Sequence, residues 1–492
     1  DYAEAHNNCG LALQELKRLN EAVEHFDRAI EYKPNYAEAF NNRGVVLHEL
    51  KRIEDALASY DRAIALNPEY ADAYSNRGLA LHELRRVEEA VASFDRDIQL
   101  KPDYAEAYSS RGISLQELKR LDDAMASYDK AIALKPDYAE AHNNRGNALQ
   151  ELKRFAEAIA SYDRAIELKP DFADAHMNKS LAYLITGELN LGWPLYEWRW
   201  KKSDLGQSRR DFPQPLWLGE EDISGKTILL HAEQGLGDTI QFCRYAKLVK
   251  ERGARVVMGV PQALVGLLGS LEDVDELVVK GESLPAFDYH CPLLSLPLAF
   301  KTELANIPSP SPYLEVNASK IAAWAHKLGE KRQPRIGLVW SGSLVHKNDH
   351  NRSLTLKQLW DHLPQGFEYF CLQKELREVD QALLLSSGIH HLGNDLHDFT
   401  DTAALCESMD LVISVDTSVA HLSAAIGKTT WVLLPYAPDW RWLLNRNDSP
   451  WYQSMTLYRQ DESRAWTSVL RRLATDLRAI LGQGPNPTNT TQ

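Results

Sequence analysis

The chain has 492 residues, too many for one hydrophobic core and in keeping with two to four domains. Its formal charge of −14 argues against a general nucleic-acid binder or an anionic-membrane binder, leaving only local basic clusters such as Arg199 to Lys202 as contacts of that kind. The five cysteines are scattered and lack C-x-x-C spacing, and no run approaches the ~18–20 apolar residues that cross a bilayer, so buried thiols and a cytoplasmic location are expected.

Thirty-four residues separate Tyr2, Tyr36, Tyr70, Tyr104, Tyr138 and Phe172, each opening a near-copy of one segment. A period of that length predicts stacked helical hairpins. Within it, glycine recurs at Gly10, Gly44, Gly78, Gly112 and Gly146, and an aromatic ring at Phe26, Tyr60, Phe94, Tyr128 and Tyr162. Alanine recurs from Ala22 to Ala158 and proline from Pro34 to Pro170. A small residue where helices cross, an aromatic filling the hairpin and a proline ending the second helix together resemble the tetratricopeptide repeat (TPR) over about the first 180 residues. The resemblance implies a solenoid with a concave groove and no chemistry of its own. The chain begins inside a repeat and without methionine, which leaves room upstream for further repeats or a targeting signal.

The sixth position of each first helix holds Asn8, Asn42, Asn76, Ser110, Asn144 and Asn178. A carboxamide both donates and accepts, so this row predicts a groove that grips an extended peptide by its backbone. The resemblance to TPR-containing O-linked N-acetylglucosamine transferases implies the same, and the alternative is a purely architectural ladder between repeats. The next position holds Cys9, Arg43, Arg77, Arg111, Arg145 and Lys179, with Glu38, Asp72, Glu106, Glu140 and Asp174 nearby. An ion-pair lattice between helices is expected there, with recognition of an acidic partner second. Asp97 stands where other repeats have Ala29, Ala63, Ala131 and Ala165, and a carboxylate in that place needs a partner or a route to solvent.

The repeat decays after Pro170, and Trp193, Trp198 and Trp200 crowd a junction over residues 186–225 that reads as cement between two halves. From Lys226 short β-rich runs alternate with helices, which predicts parallel sheets. Strand KTILLHAE runs into QGLGD, where Gly235 and Gly237 allow close backbone approach at the carboxyl end of a strand. Asp238 opens the following helix, with an N-cap role available to it. After a linker around Asn317 to Pro334, a second sheet is expected from RIGLVW, FEYFCLQ, IHHLG, LVISV and TTWVLLP. In DLVISVDTSVAHLSAAIGK a strand ends at Asp416, and helix-start amides with the Thr417 and Ser418 hydroxyls suit a diphosphate, His421 lying one turn in. Taken singly, these residues also read as a capped helix with a core histidine. Asp395, Asp398 and Asp401 read as capping or solvated carboxylates, and no metal is expected. The last helix is expected around Ala465 to Leu481, ahead of a disordered tail over 482–492.

GLGDTIQ and SVDTSVAHLSAAIGK together resemble the heptosyltransferase-type glycosyltransferases of the GT-B fold, in their TPR-fused bacterial branch. That resemblance implies an α-helical TPR solenoid (1–185), the junction (186–225) and an α/β GT-B fold of two Rossmann-like domains, 226–325 for the acceptor and 326–481 for the donor. It implies Asp238 as the base, and a last helix, around Ala465 to Leu481, that returns to brace the first sheet. Asp416, Thr417, Ser418 and His421 would hold the sugar nucleotide, Arg352 its phosphates with Lys347 or His346 as fallback, and Gln373 or Glu375 the nucleotide. Ser418 and Val419 depart from the family's glycine-bearing turn, so heptose itself is not implied. Pro435, Tyr436, Trp440 and Trp442 shape a sugar or base pocket, or else pack between domains. The expected activity is inverting, metal-independent transfer from a nucleotide sugar to an acceptor hydroxyl, on a polypeptide or partner presented by the solenoid, with no cofactor. The alternatives are a surface-polysaccharide or lipid-core transferase docked by its repeats, and a catalytically silent scaffold that binds nucleotide.

Overall fold

The computed structural model describes residues 2–202, 212–344 and 348–482, which fall into two compact units divided between Ala182 and Tyr183. Lys347, His346 and the tail beyond 482 lie outside the described residues.

In the first unit, helices Ala37–Glu49, Ala71–Glu83, Ala105–Glu117 and Ala139–Glu151 alternate with Ile53–Leu66, Val87–Leu100, Leu121–Leu134 and Phe155–Leu168, preceded by the pair Tyr2–Glu15 and Leu19–Tyr32. The glycine period follows from contact: a Cβ at Gly44 would stand 2.5 Å from the Tyr60 ring, and one at Gly146 2.4 Å from Tyr162. Lys17, Lys51, Arg85 and Lys119 turn the hairpins with φ between 56° and 62°. A side chain in that left-handed region costs about 1 kcal/mol. From there Lys17, Lys51, Arg85 and Lys119 reach Glu49, Glu83, Glu117 and Glu151 of the next repeat at 3.1, 3.3, 2.7 and 2.9 Å, exposed pairs that offset part of the cost.

The basic row forms a lattice with acids other than those expected. Arg43, Arg77, Arg111 and Arg145 each donate at 2.6 Å to Asp27, Asp61, Asp95 and Asp129 on the preceding second helix, and at 2.7–2.8 Å to Ser59, Ser93, Ser127 and Ser161 on the following one. Asp72, Glu106 and Glu140 pair instead with Lys101, Lys135 and Lys169. The reason is helical phase. Arg43 and Glu38 are five residues apart on one helix and so project to different sides.

The second unit carries two parallel sheets. Strands β1 (Thr227–His231), β2 (Arg255–Val260), β3 (Glu276–Val279) and β4 (Tyr289–Pro292) lie in the order β3-β2-β1-β4. Strands β5 (Arg335–Val339), β6 (Glu368–Cys371), β7 (His390–His391), β8 (Leu411–Val415), β9 (Thr430–Leu434) and β10 (Met455–Arg459) lie in the order β10-β9-β8-β5-β6-β7. Each sheet is wound outward in both directions from its first strand, which opens a crevice at the carboxyl ends between β1 and β4 and between β5 and β8.

Two expectations are corrected. The presumed linker holds the helix Ala318–Leu328, capped by the Asn317 side chain, which accepts from Ser319 N at 2.9 Å and Lys320 N at 3.3 Å. The helix Trp466–Gly482 braces the second sheet, not the first: Val469, Leu470, Leu473 and Leu477 share a core with Leu338, Ile413 and Leu433. It follows β10 after a few residues, and its apolar stripe closes over the sheet that it has just left. The aromatic stretch packs within the α/β unit. Trp193 Nε1 donates to Thr302 O at 2.8 Å and its ring meets Trp440 edge-on at 5.3 Å.

Asp97 is fully buried in the solenoid, and its oxygens meet no well-aligned donor among the described residues. Burial pushes its carboxyl up to about 6, partly offset by the Ser75 hydroxyl and Lys101 and reinforced by Asp72. The raised value means that stability is intact below the ordinary carboxyl range and falls as pH rises through 6. Asp97→Ala is therefore expected to stabilise the protein at pH 7.5 by up to about 3 kcal/mol and to change it little at pH 4. Denaturant unfolding of both proteins at the two pH values checks this, and equal differences at both would contradict it.

Candidate functional site

The crevice of the second sheet is closed by an arginine. Strand β8 ends at Asp416, and the helix Ser418–Ala425 begins after Thr417, whose hydroxyl lies 3.1 Å from Ser414 Oγ. Across the crevice β5 runs out through Trp340 to Gly342, where a Cβ would stand 2.5 Å from Arg352 Nη2 and 2.6 Å from Asp349 Oδ1. Arg352 Nη1 donates to Asp416 O at 2.8 Å, joining the two sides. Buried Asp349 accepts from Ser353 Oγ at 2.8 Å, from Arg377 and, at 3.5 Å, from Arg352 Nε. Burial, then Asp439, pushes the Asp416 carboxyl up to about 6 against the pull of Arg352 and Arg441.

His421 stacks on Trp442 at 5.3 Å, with Nδ1 2.9 Å from Tyr452 Oη and Nε2 3.9 Å from Asp416 Oδ1. Burial, Arg441, Arg244 and Arg352 all push its pKa well below the usual imidazole value, so the ring is neutral at pH 7. The same ring touches the first sheet's glycine turn. A Cβ at Gly237 would stand 3.0 Å from His421 Cδ2 and 3.5 Å from Ser418 Cα, so a side chain there would press on the His421 ring where the helices Leu236–Phe242 and Ser418–Ala425 meet.

That approach brings Asp238 beside the second sheet's loops. Its Oδ2 accepts from Gly235 N at 2.8 Å, closing the helix start, and its Oδ1 pairs with Arg441 Nη2. Arg441 also donates from Nε to Gln241 Oε1 and from Nη1 to Asp439 Oδ1, both at 2.8 Å, and lies over Trp440 at 4.4 Å. In the first sheet's crevice sits buried Arg199, which donates to Glu233 Oε1 at 3.1 Å, Ser295 Oγ at 2.7 Å and Glu197 Oε1 at 2.6 Å. Burial raises Glu233 to about 7 even so.

The structure thus brings together Asp238, Gly235, Gly237, Arg352, Asp416, Thr417, Ser418 and His421. Gln373 is placed differently. Its Oε1 accepts from Trp340 N at 2.7 Å and Ser341 N at 3.1 Å and its Nε2 donates to Ser341 Oγ at 3.0 Å, so the carboxamide staples the β5 exit, while Glu375 is exposed. In the solenoid, Nδ2 of Asn42, Asn76 and Asn178 donates at 3.0–3.1 Å to Asn7, Asn41 and Asn143 of the preceding repeat, Asn144 accepts from Asn143 at 3.4 Å, and Asn8 is exposed. One donor each of Asn42, Asn76 and Asn178 is thus engaged between repeats. Arg441, Asp439, Tyr452 and Glu233 were missed from sequence, and the one available signal was the lone charged pair inside the aromatic stretch PYAPDWRW. Among the described residues no group of three His, Cys, Asp or Glu side chains is arranged to hold a metal, and no helix is long and apolar enough to cross a membrane.

TPR repeats are present in this chain: the TPR repeat model matches residues 13–51, 46–85 and 116–153, and tetratricopeptide repeat models match 71–104 and 139–172. Such repeats suggest a protein partner. Protein FlbA of Caulobacter vibrioides is 25% identical over 329 residues, 61% of this chain and 54% of that protein. The chain therefore spans about half the length of this curated relative, and the aligned stretch exceeds the solenoid unit and reaches into the α/β unit. Among solved structures, a thermophilic TPR protein of Thermus thermophilus, TTC0263, is 25% identical, covering 37% of this chain and 99% of that one with a TM-score of 0.32. PilF of Pseudomonas aeruginosa is 18% identical over 41% and 91% with a TM-score of 0.37.

Replacing Arg441 by methionine leaves the Asp238 and Asp439 carboxylates facing one another without their shared cation. We expect a loss of about 2–4 kcal/mol, less than for a fully buried pair because Asp439 reaches solvent. Thermal unfolding of the full chain measures it, and a change below about 1 kcal/mol would remove Arg441 from this role.

Proposed function

We propose that the protein is an inverting, metal-independent glycosyltransferase of GT-B type, which moves a sugar from a nucleotide sugar to an acceptor hydroxyl and binds a protein acceptor or partner through its solenoid. The observation that carries this reading is the contact at Gly237, which sets the carboxylate turn of one parallel sheet against the Asp416–His421 turn of another. Transfer from a nucleotide sugar needs a carboxylate to take the acceptor's proton and a polar, positively biased surface to receive the leaving diphosphate. Asp238 supplies the first. The start of the helix Ser418–Ala425, Arg352 and His421 supply the second. The acceptor side then belongs to 226–325 and the donor side to 326–481, as in two Rossmann-like domains.

One observation favours the scaffold reading. Arg352 and Arg441 are already paired with Asp349 and with Asp238 and Asp439, so the described cations are partly neutralised before any phosphate arrives. Donor hydrolysis with UDP-, GDP- and ADP-sugars separates the two readings, because a scaffold binds without turnover.

If Asp238 is the base, Asp238→Asn keeps size and part of the helix-start bonding yet cannot take the proton. Transfer is then expected to fall by ~10²–10⁴ with donor affinity nearly unchanged. Turnover within a few-fold of the parent would leave Asp238 as a cap only. Since protein groups and helix amides receive the diphosphate in this reading, EDTA is expected to leave the rate unaltered, and activity lost to EDTA and restored by Mn²⁺ would overturn it.

A further inference from the structure

The protons around His421 are ordered by groups that the site's sequence motif does not contain. Arg244, fully enclosed, donates from Nη2 to Tyr313 Oη at 2.9 Å and lies 4.4 Å over the rings of both Tyr313 and Tyr452. Tyr313 in turn lies 2.9 Å from Ile240 O and 3.5 Å from Tyr452 Oη. A carbonyl only accepts, so the Tyr313 hydroxyl proton goes to Ile240. The Tyr452 hydroxyl, itself buried, then has one near acceptor, His421 Nδ1 at 2.9 Å. Were Nδ1 to carry the proton and donate, the Tyr452 proton would be left facing Tyr313 Oη at 3.5 Å, too long for a good hydrogen bond. A neutral imidazole has a single N–H, and it is placed on Nε2.

We propose that Tyr452 is a positioning residue that fixes His421 as its Nε2–H tautomer and so points a neutral hydrogen-bond donor at the space bounded by Asp416 and the Gly237 turn. The inference rests on the glycosyltransferase reading only for the identity of what is met there, a phosphate oxygen of a nucleoside diphosphate. Nε2 is the nitrogen that faces both walls: Asp416 Oδ1 lies 3.9 Å away, and a Cβ on Gly237 would stand 3.7 Å away. Arg244, Arg352 and Arg441 surround the ring, Asp416 is the acid facing it, and Tyr452 is the phenol. Three guanidinium groups oppose a second proton on the imidazole. His421 thus acts as a donor and neither as a cation nor as a base, so a change in anion binding near pH 6 comes from the Asp416 carboxyl beside it and not from protonation of the ring.

The test uses the full chain labelled with ¹⁵N at histidine. Long-range ¹H–¹⁵N correlation at pH 7 reads which ring nitrogen is bare, and the His421 signal is the one that disappears in His421→Gln. A bare Nδ1 with protonated Nε2 is expected, unchanged from pH 6 to 8. A protonated Nδ1, or both nitrogens protonated, overturns the proposal, and the wild-type spectrum decides this even if a variant fails to fold. In Tyr452→Phe the His421 signal is expected to move toward the mixed tautomers of free imidazole, and UDP or GDP binding by calorimetry to weaken about tenfold, one hydrogen bond's worth. A Tyr452→Phe variant that keeps both the tautomer and the affinity also overturns it. If the spectrum shows the Nε2–H form while neither diphosphate binds the wild type, the wiring stands and the glycosyltransferase reading is what fails.

Discussion

The two sheets of the α/β unit are joined at one close approach of two helix starts, at Gly237. The loops at the carboxyl ends of the two sheets come into contact where the helix Leu236–Phe242, bare of a side chain at Gly237, meets Ser418 and His421. Apolar packing alone would leave that approach without a fixed register, since dispersion is not directional. Arg441 supplies the register, reaching from the loop after β9 to Asp238 and Gln241 on the other side while its own loop holds it through Asp439. A planar guanidinium makes several aligned bonds at once, which a lysine ammonium in the same place does not.

Arginine recurs wherever the unit has to join separate pieces of chain. Arg199 fills the crevice between β1 and β4, Arg352 the one between β5 and β8, and Arg244 ties the Gln241 carbonyl to Pro308 O and Trp451 O. The two crevices differ in consequence. Arg199 is enclosed, and three oxygens from Glu197, Glu233 and Ser295 are within its reach, so the first crevice is filled by the protein itself. Arg352 keeps a partly exposed side chain, and Asp416 beside it is likewise open on one side. The first crevice is thus sealed, and the second keeps a partly exposed rim.

Much of this fold is legible in the sequence because repetition is visible residue by residue. Five glycines facing five rings at one spacing leave little freedom, and the contacts of Gly10 with Phe26 and Gly112 with Tyr128 follow directly. Periodicity does not tell which neighbouring helix a side chain meets, however. Arg111 sits one position along from the ladder and finds Asp95 sixteen residues back, whereas Glu106 finds Lys135 twenty-nine residues ahead, and both offsets fit the same period. At the site, Asp416 to His421 is a local motif and was readable. Arg441 was not, because its meaning lies in a partner 203 residues away and its neighbours Trp440 and Trp442 suggest only packing. Strands β4 and β10 were missed for a similar reason, each being four or five residues long and defined by pairing with β1 and β9 rather than by its own pattern.

The solenoid shows how a regular sequence is locally broken with compensation. Where both partners are asparagine, the carboxamide of one repeat donates to that of the repeat before, as Asn42 does to Asn7, Asn76 to Asn41 and Asn178 to Asn143. In the third and fourth repeats the corresponding residues are Ser75 and Ser110, whose hydroxyls are too short to span the same gap. It is in this stretch that alanine gives way to Asp97, which places a larger polar side chain next to Ser75. Ser75 and Asp97 are thus neighbours, and the solenoid there holds an ionisable group away from water. The next seam departs as well, since Ser109 stands opposite Asn144 and the Asn144 carboxamide accepts from Asn143 of its own repeat at 3.4 Å, so the staples resume only where Asn178 meets Asn143.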